Sequence, residues 1–454
     1  MIKLTEKIEA ELKLAVQRNE AKANELKDKA LLSDYSPENG IWTAALQTAL
    51  NEHEIVIIPS SEAPYLLDGT VVIPSSRHII AEDGAIIRLT ENTKTLMLRN
   101  RNTLDGSYYP IEGKIRDEGI TIEGGIWEES CTKRQGYGRS GMYDEERSFY
   151  GVSTCMLFNN IDHITLKNMT FRCCGGFAVQ IGEASDIVCE GIRFEKCFAD
   201  GLHINGNVEN VYIKDVKGEV GDDLVAFNMY DWRNSSVNFG PCRNVICDDL
   251  ELSESSGYKA LRIEPGIYTF CDGREVDCSL TNAVFRHIRG IKTFKLYCQT
   301  PAFLKGTSPE KAAVGSGDNI VFEDVIIDLD GPIDPIGGYI ESDPKTGSFA
   351  GFELGANIKN LYLKNICIKL YREKYPYSYL VCVGPKSVRI GDREVFDPYL
   401  SSAVENLYLE SITVNGTATK ELSPFIKEIV FDSLYPDMPS TASGKIENII
   451  INQT

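Results

Sequence analysis

A short unit that recurs along the chain constrains the fold more than any other feature of this sequence. It has a polar or turn pair, an alternating apolar triplet, an acidic or Asn-containing pair and a second alternating triplet; clear copies lie at 162–171, 318–327 and 359–368. Period-two alternation between turn residues is typical of strands, and one unit repeated many times is typical of stacked coils. We therefore predict an all-β fold, a single-stranded right-handed parallel β-helix.

The N-terminal segment has a different pattern. Residues 2–32 contain neither Gly nor Pro and are rich in Ala, Glu, Lys and Leu, which predicts a helix that packs on the main body or contacts another subunit. Residues 40–50 predict a short amphipathic helix that covers the first coil, because the end of a solenoid needs a cap. We divide the chain into a helical extension at 1–40 and a β-helix domain at 41–454.

Five predicted loop insertions interrupt the coils, at 130–150, 229–240, 301–317, 331–355 and 371–399. Insertions in a solenoid often emerge on one face and wall off a binding site. Such walls suit a short ligand or the end of a long one.

The net charge and the targeting signals limit the kinds of partner and the compartment that we expect. The chain has 47 basic and 66 acidic residues, a net charge of −19, which disfavours nucleic acid and anionic membranes as partners. No run is long and apolar enough to span a bilayer. The charged start of the chain lacks a secretory signal, and 13 cysteines without metal-type spacing favour a reducing compartment, so we expect a cytoplasmic protein without cofactor or metal. Whether it forms a homo-oligomer stays open.

Two acidic positions lie one coil apart. Asp200 precedes Gly201, and the doublet Asp222-Asp223 follows Gly221, 22 residues later (222 − 200). If one coil takes a similar number of residues, three carboxylates share one patch, provided the chain bends at Gly221 so that both members of the doublet face it. Cleavage of a glycosidic bond needs such a patch, with one carboxyl group protonated to donate and one ionised to activate water.

The pieces Ala199-Asp200-Gly201-Leu202-His203 and Gly221-Asp222-Asp223-Leu224-Val225-Ala226 resemble two signature motifs of the polygalacturonase family, glycoside hydrolase family 28. The resemblance covers the solenoid from about 42 to 320 and is specific only near these motifs. It implies that Asp200, Asp222 and Asp223 are the catalytic carboxylates of an inverting hydrolase. The order of acid and base within the three stays open.

The chain also departs from the family's pattern. His203 stands where the family has an aspartate, and Ser256-Gly257-Tyr258 takes the place of its Gly-His-Gly motif. The family's Arg-Ile-Lys motif is matched in part by Arg262-Ile263-Glu264, and Lys295 lies one coil later. Those basic groups hold the sugar carboxylate in the family. Galacturonate as substrate therefore stays open, with neutral sugar hydroxyls bound by Glu264 as the alternative.

Six side chains are candidates for substrate binding: His203, Tyr258, Arg262, Glu264, Trp232 and Lys295. Each has a structural alternative. His203 is as readily a satisfied internal histidine, Arg262 and Glu264 a surface salt bridge, Trp232 a loop anchor and Lys295 a solvated lysine.

The sequence leaves three functions to compare. The leading hypothesis is a glycoside hydrolase that cleaves short, pectin-derived plant oligosaccharides from the chain end. The second is a polysaccharide lyase on the same fold, which needs a Ca²⁺ site or a basic residue beside an acidic sugar. The third is a non-catalytic carbohydrate-binding protein, and the variant Asp223→Asn separates it from the enzymes because binding without turnover would survive the change.

Overall fold

The structure is a computed structural model. It describes residues 2–91, 93, 95–103, 115–134, 154–230, 237–269, 272–297, 311–331, 349–384, 387–390, 393–396, 401–429 and 443–452.

The described part of the chain contains two α-helices, two short 3-10 helices (Leu32–Asp34 and Ser423–Phe425) and 31 strands. The α-helices are α1 (Ile2–Glu25) and α2 (Thr43–Glu52). The strands are β1 (Lys29–Leu31), β2 (Ile55–Ile58), β3 (Tyr65–Leu67), β4 (Val71–Ile73), β5 (Arg77–Leu89), β6 (Leu98–Asn100), β7 (Asp117–Glu128), β8 (Thr154–Lys167), β9 (Thr170–Arg172), β10 (Phe177–Glu195), β11 (Leu202–Asn205), β12 (Val208–Gly218), β13 (Val225–Asn228), β14 (Cys242–Leu252), β15 (Ala260–Ile263), β16 (Gly266–Thr269), β17 (Glu275–Cys278), β18 (Leu280–Arg289), β19 (Thr293–Tyr297), β20 (Lys311–Val314), β21 (Ser316–Leu329), β22 (Phe349–Gly355), β23 (Asn357–Leu370), β24 (Ser378–Val383), β25 (Ser387–Ile390), β26 (Arg393–Phe396), β27 (Ser402–Glu410), β28 (Thr413–Val414), β29 (Thr417–Ala418), β30 (Ile426–Glu428) and β31 (Gly444–Asn452).

Each coil pairs in parallel with the coils before and after it. In the sheet that carries the site, β11 pairs with β10 and β13, and β15 pairs with β19. A second sheet stacks β12, β14, β18, β21, β23, β27 and β31 in the same order as the chain. Parallel crossovers of this kind are right-handed. The predicted right-handed parallel β-helix is confirmed.

Alternation along the strands explains the core. In the second sheet, residues at equivalent positions of successive strands point inward and are fully buried, as Ile187, Val211, Val245 and Ala283 show. Their neighbours along the strand point outward. The interior is therefore a stack of apolar rungs, and each coil contributes its own layer.

The recurrent Asn of the sequence unit forms a ladder at one turn of the coil. The Asn282 side chain donates to Asn244 at 3.2 Å and accepts from Asn319 at 3.1 Å, and similar contacts link Asn210 to Asn448. Asn282 has a φ of 57°, which Asn tolerates better than most residues. The repeat in the sequence therefore encodes both the turn and the contact between coils.

Helix α1 lies along the outside of the second sheet. Ile8 and Leu12 pack on the outward side chains Ile246, Val284 and Val321. The helix ends at Glu25, seven residues before the predicted end, because Lys29–Leu31 already pairs in parallel with β2. The first strand thus precedes the predicted start of the β-helix at residue 41.

Helix α2 covers the first coil, as predicted, and buries Leu46, Ala49 and Leu50 in the core. Eight of the cysteines in the described chain lie buried among apolar side chains. Neither helix of the described chain is both long and apolar enough to cross a bilayer.

Candidate active site

Three carboxylates converge on one side of the solenoid. Asp200 lies directly before β11, and Asp222 and Asp223 lie in the bend before β13, the next strand of the same sheet. One side-chain oxygen from each residue lies within 4.8 Å of the other two. The Asp223 amide also donates to the Asp200 carboxylate at 3.3 Å. The predicted meeting of these side chains on neighbouring coils is thus found in the structure.

Gly221 makes the bend before β13 possible. A Cβ atom at Gly221 would lie 2.3 Å from the Phe198 carbonyl oxygen of the preceding coil, so only glycine fits. The chain is not yet extended at this point, and the two members of the doublet do not point to opposite faces. Both contact one guanidinium, with Arg262 Nη2 3.9 Å from Asp222 and Arg262 Nε 3.5 Å from Asp223.

His203 holds Asp200 from within the protein. Its Nδ1 lies 2.6 Å from Asp200 Oδ2, its Nε2 lies 3.3 Å from the Asn205 amide nitrogen, and its ring stacks on Phe177 at 3.8 Å. His203 is 1% exposed, and protein groups occupy both edges and one face of the ring. Of the two roles that the sequence left open for His203, this geometry favours the internal one, in which it positions Asp200.

Arg262 and Lys295 are neighbours on successive strands of the site sheet. They are paired positions of β15 and β19, and both lie near the Tyr258 ring, at 5.8 and 5.2 Å from its centroid. Arg262 Nη2 also donates to the Tyr258 hydroxyl at 3.4 Å. An Arg–Lys pair is thus built across two coils, where the family pattern places it along one strand.

Three further candidates are as buried as two of the carboxylates. Tyr258 is 4% exposed, Glu264 1% and Lys295 3%, against 3% and 1% for the two buried carboxylates, and their contact with a sugar stays a prediction. Arg262 is buried with them. Trp232, the sixth candidate, lies outside the described residues.

Burial and neighbouring charges shift the pKa values of the ionisable groups in the site. Burial raises the pKa of Asp223 well above its usual range, and the nearby Arg262 opposes this only in part. Burial and the charge of Asp222 raise the pKa of Asp200, against the hydrogen bond from His203. Burial lowers the pKa of Arg262, but the carboxylates, Asp223 first, hold it above its ordinary value. Carboxyl groups this close do not all ionise together, so the cluster retains a proton at a higher pH than an isolated aspartate.

A divalent cation is the other occupant that three clustered carboxylates suggest. Two guanidinium groups approach this cluster, Arg262 at 3.5 Å from Asp223 and Arg134 at 2.6 Å from Asp222. A metal ion between the carboxylates would face both positive charges. The donor set therefore fits acid–base chemistry better than a Ca²⁺ centre.

Two residues of the site were not among the sequence candidates. Arg134 forms an ion pair with Asp222, and Glu129 anchors the segment that carries Arg134. Both come from a part of the chain about 90 residues before Asp222. No spacing in the sequence links them to the doublet, so only the winding of the chain identifies them.

Comparison with known proteins assigns no family to the chain. No family model matches the sequence, and no curated protein matches it. Solved structures similar to this chain include the polygalacturonase from Erwinia carotovora ssp. carotovora, at 11% identity over 87% of this chain and 93% of that chain, with a TM-score of 0.47.

Two further similar structures are an endo-xylogalacturonan hydrolase from Aspergillus tubingensis and the surface adhesin PfbA of Streptococcus pneumoniae. The first is 12% identical over 91% of this chain and 98% of that chain, with a TM-score of 0.46. The adhesin is 13% identical over 94% and 92%, with a TM-score of 0.43. Likenesses at this level assign no activity, so membership of glycoside hydrolase family 28 stays a prediction.

The spacing of the carboxylates bears on stereochemistry. Oxygens within 4.8 Å of each other are closer than the separation of about 6.5–9.5 Å that leaves room for a water between the two carboxyl groups of an inverting enzyme. Inversion, which the family resemblance implies, stays a prediction.

Proposed function

We propose that this chain is a glycoside hydrolase in which Asp200, Asp222 and Asp223 carry out acid–base catalysis. The observation that supports the proposal is the convergence of three carboxylates from neighbouring coils, with Asp200 and Asp223 buried and Asp222 partly open to solvent. Burial raises the pKa of Asp223, which favours its protonated form near neutral pH. Hydrolysis of a glycosidic bond needs one such proton donor and one ionised partner.

The roles follow from the contacts of each carboxylate. Asp223 holds the proton that passes to the leaving glycosidic oxygen, and Asp222, the member in contact with solvent, faces the incoming sugar. Asp200, fixed by His203, helps to activate the water. Arg262 stabilises the negative charge that remains on the doublet after proton transfer.

Short pectin-derived oligosaccharides, attacked from the chain end, are the substrates we propose first. Support comes from the resemblance of the two aspartate motifs and from the predicted loops around the groove. Large parts of those loops, including 135–150 and 332–348, lie outside the described residues.

A substrate screen tests this function. The purified protein is incubated with pectic and neutral oligosaccharides, with and without a chelator, and new reducing ends and ultraviolet absorbance from unsaturated sugars are measured. We expect reducing ends without absorbance and without chelator sensitivity. Asp272→Asn, a change at an exposed aspartate paired with Arg274, serves as control and keeps full activity.

The alternative functions give different results in the same screen. Unsaturated products that disappear with the chelator would indicate a lyase. Binding of an oligosaccharide, with no product from any oligosaccharide in the screen, would indicate a non-catalytic carbohydrate-binding protein.

A further inference from the structure

The segment 129–134, called here the strap, leaves the end of β7 and is fixed at its start by three contacts. The buried Glu129 carboxylate accepts the Gly175 amide at 2.7 Å, the Ser130 hydroxyl donates to the Leu89 carbonyl at 2.9 Å, and the Cys131 amide donates to the Cys173 carbonyl at 3.0 Å. Ser130 has a φ of 61°, so the chain turns sharply out of the strand there. The strap therefore begins at a defined place.

The strap then runs along the solenoid axis to the carboxylate cluster. Strand β7 pairs with β9, β9 with β10 and β10 with β12, whose chain leads into Asp222. Three coils at about 4.8 Å each make roughly 14 Å, a distance that the six-residue strap and an arginine side chain span. At its end Arg134 Nη2 lies 2.6 Å from Asp222 Oδ2.

Arg134 differs from the other two cations of the site in its exposure. Its side chain is 41% exposed, whereas that of Arg262 is 10% exposed and Lys295 is 3% exposed overall. Arg262 contacts Asp223 and the Tyr258 hydroxyl inside the protein. A negatively charged group that approaches Asp222 from solvent therefore meets Arg134 before either buried cation.

The chemistry of Arg134 suits a carboxylate. A guanidinium presents a planar fork of donors that matches the two oxygens of a carboxylate, and in this structure Arg134 already holds one carboxylate, that of Asp222. The ion pair is partly exposed, so exchange of the Asp222 contact for another carboxylate costs little. On a chain with a net charge of −19, such a local cation decides whether an acidic sugar is attracted or repelled.

We propose that Arg134 is a specificity-determining residue that binds the carboxylate of an acidic sugar placed next to Asp222. The proposal rests on the proposed function, because it takes the groove at Asp222 as the place where the sugar binds. It assigns the recognition of the substrate charge to the strap, and not to the buried Arg262 and Lys295.

Titration calorimetry with a matched pair of ligands tests this assignment. The ligands are trigalacturonate and the same trisaccharide with its carboxyl groups reduced to alcohols. The proteins are the unaltered chain, Arg134→Gln, Arg134→Lys and, as control, Lys133→Gln, which removes an exposed charge from the adjacent position. Binding is measured on the full chain, with short incubations and product analysis after each titration.

We expect the unaltered chain to bind the acidic trisaccharide about tenfold or more tightly than the reduced one, the scale of one charge-assisted hydrogen bond at a partly exposed site. Arg134→Gln should remove most of this preference, Arg134→Lys should keep part of it, and Lys133→Gln should leave it unchanged. An unchanged preference in Arg134→Gln would overturn the proposal, as would absence of any preference, or of any binding, in the unaltered chain.

Failure of this inference is distinguishable from failure of the proposed function. Hydrolysis of neutral oligosaccharides without a preference for the acidic trisaccharide would refute the role of Arg134 and leave the hydrolase intact. A preference that depends on Arg134, with no product from any oligosaccharide, would support Arg134 and refute the hydrolase.

Discussion

At the scale of single residues, His203 and Asp200 show how the surroundings of a carboxylate set its chemistry. Both side chains are almost fully buried, and the contact of 2.6 Å between Nδ1 and Oδ2 lowers the pKa of Asp200 against the effect of burial. A base for water must be ionised at the working pH. The histidine therefore favours the ionised form of Asp200, against the burial and the Asp222 charge that leave its pKa raised.

Replacement of His203 by Ala should move the pH profile. Without the Nδ1 contact the pKa of Asp200 rises further, so the acidic limb of the kcat/KM profile shifts to higher pH, kcat falls by about 10- to 100-fold and KM changes little. His203→Asn, whose amide nitrogen reaches a similar position, should restore part of the shift. A loss of activity with an unmoved acidic limb would show that His203 has only a structural role.

Glu129 gives a second residue-scale prediction. Burial raises its pKa to about 7, and the hydrogen bond from the Gly175 amide offsets this only in part. Because the folded-state pKa exceeds the unfolded value, the folded state binds the proton more tightly. Its contribution to stability is present below about pH 4.5 and is lost as the pH rises to about 7, by roughly 3 kcal/mol.

Glu129→Gln keeps an acceptor for the Gly175 amide and removes the titration. Urea unfolding at pH 5 and pH 8 should therefore show a smaller loss of unfolding free energy with pH in the variant than in the unaltered chain. Equal losses in both proteins would contradict the buried carboxyl as their source.

The sequence was a good guide to the carboxylates and a poor one to their neighbours. The interval between Asp200 and Asp222 matches one coil, so the meeting of these residues could be predicted from the repeat alone. Arg134 contacts Asp222 across several coils. The local spacing of residues in the sequence does not predict such a contact. The alternation of residues along a strand predicts which side of the sheet His203 faces. It does not predict that the Phe177 ring stacks on the His203 ring.

At the scale of elements, the Asn ladder gives the coils their turn and their register. Asn282 combines a left-handed backbone, with φ at 57°, and two side-chain contacts with the coils on either side. The repeat predicted strands and turns correctly because the left-handed backbone conformation and the side-chain amide belong to the same residue of each unit. The end of α1 was missed because the pairing of Lys29–Leu31 with β2 is not local.

Two substitutions at Asn282 separate the effect of the left-handed backbone conformation from the effect of the amide contacts between coils. Asn282→Gly accepts the left-handed conformation and loses the amide contacts, at about 1 kcal/mol each. Asn282→Ala loses the same contacts and adds about 1–2 kcal/mol of backbone strain. We expect Ala to lower the free energy of unfolding more than Gly, measured by urea titration. Equal effects would contradict a strained turn at this position.

At the scale of the whole molecule, α1 connects coils that are far apart in the chain. Its 24 residues span about 36 Å, and its contacts run from Glu118 on β7 to Val321 on β21. The helix also places Arg18 against Asp186 at the start of the Asn ladder. It therefore stabilises the stack of coils from outside.

A matched pair of leucines in α1 tests this docking. Leu12 is 1% exposed against the sheet, whereas Leu14 is 49% exposed on the other side of the helix. Leu12→Asp buries a charge without a partner and should destabilise by about 3 kcal/mol or more, with early proteolysis in α1. Leu14→Asp should change stability by less than about 0.5 kcal/mol. Equal melting temperatures for the two variants would contradict the docked helix.

The rate of Asp223→Asn on an oligosaccharide found in the screen decides whether Asp223 supplies the proton for cleavage. Asn keeps the shape of the side chain and cannot hold or give the proton. The account predicts a fall in kcat of about 10³-fold or more, with an unchanged circular dichroism spectrum. A variant that is folded and retains most of the unaltered rate would show that Asp223 takes no part in cleavage.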